Sequence, residues 1–156
     1  MATQIQAPVQ PGSENQLYIL QQGIVEDAPG GVPAHLSFGI LSTVPDPVNP
    51  GDVTFTLKAP TGFVFTGWLS WAYHDVNTLQ AKGNLQTVQG TLRDGGRTLT
   101  FTHNPSLSTN QEALGYAAQV TAIDGATPGR FADGQLKVGA ANPIKLKGRV
   151  LAADED

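Results

Sequence analysis

Three histidines, His35, His74 and His103, are the chain's imidazoles, and imidazoles are the commonest metal ligands and proton carriers. They lie far apart in different strand-like segments, without the close spacing of a ligand motif. Separate surface or strand-edge histidines are therefore expected, and no metal site. His74-Asp75 could orient an imidazole, but neighbours along a strand point to opposite faces, and no motif singles out a nucleophile to complete a triad. The sequence has no Gly-x-Ser-x-Gly elbow, Gly-x-Gly-x-x-Gly loop, P-loop or His-Glu-x-x-His helix. Gly67-Trp-Leu-Ser-Trp71 comes nearest and has its serine at the wrong spacing. Asp46, Asn49 and Asp52 offer oxygens that could hold calcium, but outside an EF-hand register they read as turn-forming residues. The chain has no cysteine, which removes thiolate ligands, disulfides and a cysteine nucleophile. A non-catalytic protein without a cofactor is expected.

Binding chemistry is better represented. Phe63-Val-Phe-Thr-Gly-Trp-Leu-Ser-Trp-Ala-Tyr-His74 is the densest aromatic stretch. In a regular strand Phe63, Phe65, Leu69, Trp71 and Tyr73 share one face, while Trp68 and Ser70 share the other. The odd face reads as core. Trp68 then packs under a loop, is turned inward by a bulge at Gly67, or stands out with Tyr73 and His74 as a flat anchor for a protein or a sugar ring. At the other end of the chain, Ile5 and Val9 alternate with glutamines in a polar, proline-punctuated arm over residues 1–16. That arm could add to a sheet edge as a strand, on a neighbouring chain or on its own domain.

What must position these residues is a set of strands. The 156 residues hold 18 Gly and 11 Pro with only 14% charged side chains, a balance of short strands and tight turns rather than helices. Strand-like runs recur at intervals of roughly ten residues: 17–25, 35–43, 53–59, 63–73, 85–92, 98–103, 115–123, 134–138 and 144–152. Val53, Phe55 and Leu57 oppose Thr54, Thr56 and Lys58, and Leu99 and Phe101 oppose three threonines, so each strand has one wet face, as in antiparallel sheets. Phe55, Leu57, Phe65, Leu99, Phe101, Val120 and Val150 are expected in the core. Asp94-Gly95 predicts a hairpin tip. Asp124-Gly125, Asp133-Gly134 and Pro60-Thr61-Gly62 predict further turns. Ser108–Leu114 carries a capping-box pattern and is the one candidate helix. The reading is an arm over 1–16, an all-β, antiparallel immunoglobulin-like sandwich of about seven to nine strands over 17–153, and an acidic tail over 154–156.

The order of turn signals adds a resemblance. Asn49-Pro-Gly-Asp-Val-Thr-Phe-Thr-Leu57, Ala59-Pro-Thr-Gly-Phe-Val-Phe65, Gly95-Gly-Arg-Thr-Leu-Thr-Phe101, Thr127-Pro-Gly129, Asp133-Gly134 and Pro143-Ile-Lys-Leu146 together resemble the immunoglobulin-like repeat modules of actinobacterial surface and secreted proteins. The resemblance spans about residues 48–150 and implies a sandwich with an interaction role. It carries no site residues. It departs from those modules in lacking an export signal: the first residues have neither a basic nor an apolar signal region, so the chain is expected to be made without export or to have lost a signal. Nine Lys and Arg against thirteen Asp and Glu, spread along the sequence, give no basic footprint, so nucleic acid is not expected as a partner. No run is long and apolar enough to insert in a membrane. A structural or protein-binding module taking part in an assembly through its arm and sheet edges, with a protein partner or a second copy, is the first expectation. A carbohydrate-binding module using the aromatic patch is the alternative.

Overall fold

The period-two alternation of large apolar and polar side chains dictates strands, and strands are what form. The computed structural model describes residues 2–4, 17–20, 24–25, 28–42, 45–139 and 143–152. In chain order the strands are β1 (Ala2–Gln4), β2 (Leu17–Leu20), β3 (Ile24–Val25), β4 (Ala28–Pro29), β5 (Pro33–Ser42), β6 (Val53–Lys58), β7 (Phe63–Asp75), β8 (Ala81–Gln89), β9 (Thr91–Arg93), β10 (Thr98–His103), β11 (Glu112–Ala122), β12 (Gly129–Val138) and β13 (Ile144–Leu151). One sheet runs β1-β2-β5-β11-β7-β8 and the other β13-β12-β6-β10-β9. Pairing is antiparallel except where β3 and β4 lie parallel to β13. The result is an immunoglobulin-like sandwich. Among the described residues no helix is long and apolar enough to cross a membrane.

The sheets face each other across the residues the alternation assigns to the core. Phe55, Leu57, Phe65, Leu99, Phe101, Val120 and Val150 are all buried. At the centre Phe38 stacks on Tyr116 with ring centres 4.8 Å apart, and Phe55 stacks on Phe101 at 4.6 Å. Phe55 also meets Tyr116 at 5.1 Å, and this contact joins the two sheets.

Two chain crossings tie the sheets at their margins. β3 pairs with β5 in one sheet and β13 in the other. On the opposite side the predicted strand 85–92 is broken at Gly90, so that β8 belongs to the first sheet and β9 to the second. Gly90 donates its N–H to the Gly67 carbonyl at 2.8 Å. A Cβ on Gly90 would lie 2.8 Å from the Thr100 carbonyl oxygen, so only glycine lets the backbones approach this closely.

Arg93 and Thr98 pair across the predicted hairpin. Its tip is a four-residue loop in which Asp94 (φ 55°) and Gly95 (φ 67°) take the left-handed conformation that Asp-Gly favours. Two expectations are corrected. Ser108–Leu114 is not helical: residues 108–110 form a bend and β11 starts at Glu112. The capping-box bonds form without a helix, since the Ser108 N–H and hydroxyl both donate to Glu112 Oε1, at 2.8 and 2.7 Å. Asp133-Gly134 is a bulge inside β12 rather than a turn. There the Asp133 carboxylate accepts from the Thr61 amide and hydroxyl, and Gly134 packs beneath the Lys58 carbonyl, where a Cβ would sit 2.8 Å away. At the start of the arm, Ala2–Gln4 pair with β2 of their own domain, one of the two placements open to it.

Two predictions follow from this packing. Phe55→Ala removes the ring that bridges the sheets and should cost about 3–5 kcal/mol in urea unfolding; a loss under about 1 kcal/mol would contradict the central role of that contact. The second concerns Glu112. Burial alone would raise the pKa of this carboxyl. The Ser108 amide and hydroxyl and the Lys82 ammonium, 3.3 Å away, outweigh burial and hold it below the usual value. A lowered folded pKa means stability that is complete above the usual carboxylate range and lost as pH falls through the folded value. Glu112→Gln should therefore cost about 1–3 kcal/mol at neutral pH and flatten the acid limb of a melting-temperature profile. An unchanged acid limb would rule out Glu112 as a contributor.

Candidate functional site

β5, β11 and β7 lie side by side in the first sheet, and their inward residues, such as Phe38, Leu114 and Tyr116, are large and buried. Their outward residues are small. Gly115 stands between Gly39 and Ala72, and Ala117 between Ser37 and Ser70. A surface with large side chains below and almost none above is a trough. It contains a hollow of about 410 Å³ bordered by Gly39, Gly115, His74, Leu79 and Leu85. A second hollow of about 210 Å³ is bordered by His35, Trp68, Thr87 and Gln119. Both share Ser70, Leu85 and Ala117, so they form one groove along β11. From Ala113 to Gln119 it extends roughly 20 Å at the ordinary strand rise.

One wall is apolar and built at a cost. Leu85 on β8 is 64% exposed, and Leu79, in the turn before β8, is 76% exposed. Leu79 is held at φ 62°, a left-handed conformation costing a residue with a Cβ roughly 1–2 kcal/mol. Asp75 enforces it. Its carboxylate accepts the Asn77 and Thr78 amides at 2.8 and 3.0 Å, and its carbonyl accepts the Leu79 amide at 2.8 Å. The Thr78 and Asn77 amides hold the Asp75 carboxyl below its ordinary pKa. Neither hollow is lined by a carboxylate, ammonium or guanidinium, so the groove offers shape, apolar area and polar groups that include the imidazoles of His74 and His35.

The predicted site residues divide between the two faces of β7. Trp68 stands outward at one end of the groove, 48% exposed and opposite Gln89. The register of β7 against β11 shifts between the Phe65 and Leu69 pairs, so the bulge expected at Gly67 forms without turning Trp68 inward. His74 is at the other end, its Nδ1 3.0 Å from the Ala72 carbonyl. A Cβ on Gly115 would come within 3.0 Å of the His74 ring, so glycine there lets the imidazole settle onto the groove floor. Tyr73 turns inward, donates its hydroxyl to the Ser106 carbonyl at 2.8 Å, and meets Trp71 edge-on at 5.7 Å. Ile5 and Val9 lie outside the described residues.

The histidines do not converge. His35 and His74 border the groove, whereas His103 sits between the sheets, with its ring centre 4.4 Å from that of Trp71. Burial lowers the His103 pKa and raises that of Tyr116. The Tyr116 hydroxyl and His103 Nδ1 share a hydrogen bond of 2.7 Å. In the proline-rich loop the Asn49 side-chain oxygen is already taken, accepting from the Gly51 amide at 3.1 Å and the Asn104 amide group at 2.8 Å. Among the described residues no group of three or more His, Cys, Asp or Glu could hold a metal ion.

Sequence reasoning missed Leu79, Leu85 and the groove floor. The legible signal for the floor was the outward alternation of small residues, Ser37-x-Gly39 and Ala113-x-Gly115-x-Ala117.

No protein-family model and no curated protein matches this chain. Solved structures do. The collagen-binding domain of a Staphylococcus aureus adhesin is 8% identical, with 85% of this chain and 96% of that one covered and a TM-score of 0.50. A S. aureus collagen adhesin is 7% identical, covering 89% of this chain and 50% of that one, with a TM-score of 0.51. The collagen-binding subdomain of the Enterococcus faecalis surface protein ACE is 8% identical, covering 86% and 94%, with a TM-score of 0.48. The fold of this chain, an immunoglobulin-like sandwich, is similar to that of the S. aureus collagen-adhesin structures.

Proposed function

We propose that this domain is a non-catalytic protein-binding module of a surface-exposed or secreted protein, and that it receives an extended segment of a protein partner along the β11 groove. The observation that carries this reading is Leu79. A leucine kept in a left-handed backbone and turned to solvent costs stability with no return inside the fold, and strain of that kind collects at binding sites. It stands with Leu85 beside a groove of small side chains, where a partner's backbone can come close. β8, which forms this wall, has an edge unpaired among the described residues, so a partner strand could also add main-chain hydrogen bonds. The fold neighbours described as collagen-binding lend a first probe.

The test is binding to immobilised triple-helical collagen, to its heat-denatured form, and to a displayed library of extended peptides. Ala117→Arg, which projects a bulky charge from the groove floor, and Leu79→Ser should each weaken binding at least about tenfold, or 1.4 kcal/mol, without lowering the melting temperature. Binders unaffected by both substitutions, or no binder from any of the three sources, would reject the groove as the recognition surface.

Trp68 favours a second reading. Its exposed ring is bordered by the polar side chains of Gln119, Thr87 and His35, a setting suited to stacking a sugar ring and bonding its hydroxyls. Quenching of tryptophan emission by neutral oligosaccharides, lost in Trp68→Ala, would support it. Unchanged emission across such a panel would remove it.

A further inference from the structure

The basic residues look scattered in the sequence, but the fold gathers them. Six of the nine Lys and Arg residues, namely Lys58 on β6, Arg130 and Lys137 on β12, and Lys145, Lys147 and Arg149 on β13, fall on three adjacent strands of the second sheet. Burial alternates along these strands, with Leu57, Leu136, Leu146 and Val150 inward, so the basic residues share the outer face. Gln135 lies between Lys58 and Lys145, and Lys137 lies beside Thr56. Arg130 stands directly opposite Arg149. Asp133 is the acid on these strands, and its carboxylate is held by Thr61. A chain of net charge −4 thus carries one cationic face, on the side of the sandwich away from the β11 groove.

We propose that this outer face binds a linear polyanion, and specifically a polysaccharide bearing sulfate or phosphate groups. Cations two residues apart along β13 repeat at roughly 7 Å, and flanking strands supply more, so charge is presented as an array rather than as one pocket. The groups among and beside the cations are neutral hydrogen-bonding side chains, Thr54, Thr56 and Gln135, which suit sugar hydroxyls. Exposed large apolar side chains occur at Val32, Trp68, Leu79, Leu85, Val88, Leu92 and Ile123, none of them on these three strands. The face therefore has no aromatic platform for unstacked bases and no apolar anchor for a bilayer. The proposal is independent of what occupies the groove.

The full chain is titrated with dextran sulfate, with uncharged dextran of the same length, with double-stranded DNA, and with phosphatidylserine vesicles, over a range of salt. Dextran sulfate is expected to bind and dextran not to. Lys145→Gln/Lys147→Gln is expected to weaken dextran sulfate binding at least tenfold at low salt and to lower the slope of log affinity against log salt by about two. Both lysines are exposed, and an unchanged melting temperature shows that the variant is folded. Ala117→Arg, which adds a cation on the opposite sheet, should leave this binding unchanged. The proposal is overturned if dextran sulfate fails to bind, if the double variant binds as wild type, if Ala117→Arg strengthens binding as much as the double variant weakens it, or if DNA or vesicles bind as tightly as dextran sulfate.

Discussion

The contact between Phe55 and Tyr116 holds the two sheets in register, and most of what the domain can do follows from it. Each ring is stacked within its own sheet, Phe55 on Phe101 and Tyr116 on Phe38, so the centre of the sandwich is filled by four aromatic side chains. From Tyr116 the contacts run on through His103, Trp71 and Tyr73 to the Ser106 carbonyl. This continuous path uses the inward aromatic side chains of β7 and the one histidine between the sheets. Two hydrogen bonds on it, between Tyr116 and His103 and from Tyr73 to Ser106, offset the cost of burying those polar atoms. Because the large side chains of β5 and β11 are committed inward, the opposite positions on the same strands are free to be glycine, alanine and serine. The groove is the outer consequence of the inner packing.

The margins show where stability is held and where it is spent. β3 and the β8–Gly90–β9 crossing close the two sides of the sandwich, and Gly90 is fixed in type by the Thr100 carbonyl beside it. Beyond Gly90 the constraint relaxes. All of β8 is exposed, among the described residues it pairs with β7 alone, and its turn contains the left-handed Leu79. A natural sheet normally guards such an edge with charge, proline or a cover. β8 contains no proline, and its one charged residue, Lys82, reaches back to Glu112. The exposed apolar side chains Leu79, Leu85 and Val88 occur on this flank, and they make it the part of the fold that most needs a partner.

Much of the fold was legible because it is governed by local rules. Alternation placed the predicted strands and the core residues, and Asp94-Gly95 marked its hairpin through its own backbone preference. The failures have a common physical origin. A capping box is a pair of hydrogen bonds, and Ser108 and Glu112 make them across a bend as well as they would across a helical turn. Asp133-Gly134 has the chemistry of a turn, but Thr61 and the Lys58 carbonyl, both far away in sequence, claim it for a bulge. For the site, Trp68 and His74 were legible as outward residues of one aromatic strand. The floor between them was not, since Gly39, Gly115 and Ala72 become neighbours only through strand order and register. The cationic face was hidden for the same reason, because Lys58 and Lys145 are brought to either side of Gln135 by pairing that composition does not express.

The two outer faces divide the chemistry of the surface between them. On the first sheet no carboxylate, ammonium or guanidinium lines the groove, so the recognition proposed there rests on fit and on desolvating apolar area, contributions that salt screens weakly. On the second sheet Lys58, Arg130, Lys137, Lys145 and Lys147 are exposed on a flat surface, where single ion pairs are weak and only many acting together amount to affinity. A sandwich allows this separation because its strands present alternate residues to alternate sides, and two sheets packed back to back leave two outer faces that share no residue. Substitutions at Ala117 and at Lys145 therefore act on surfaces separated by the aromatic core. On the two readings proposed, an extended protein segment on one side and a charged polymer on the other would not compete for the same contacts.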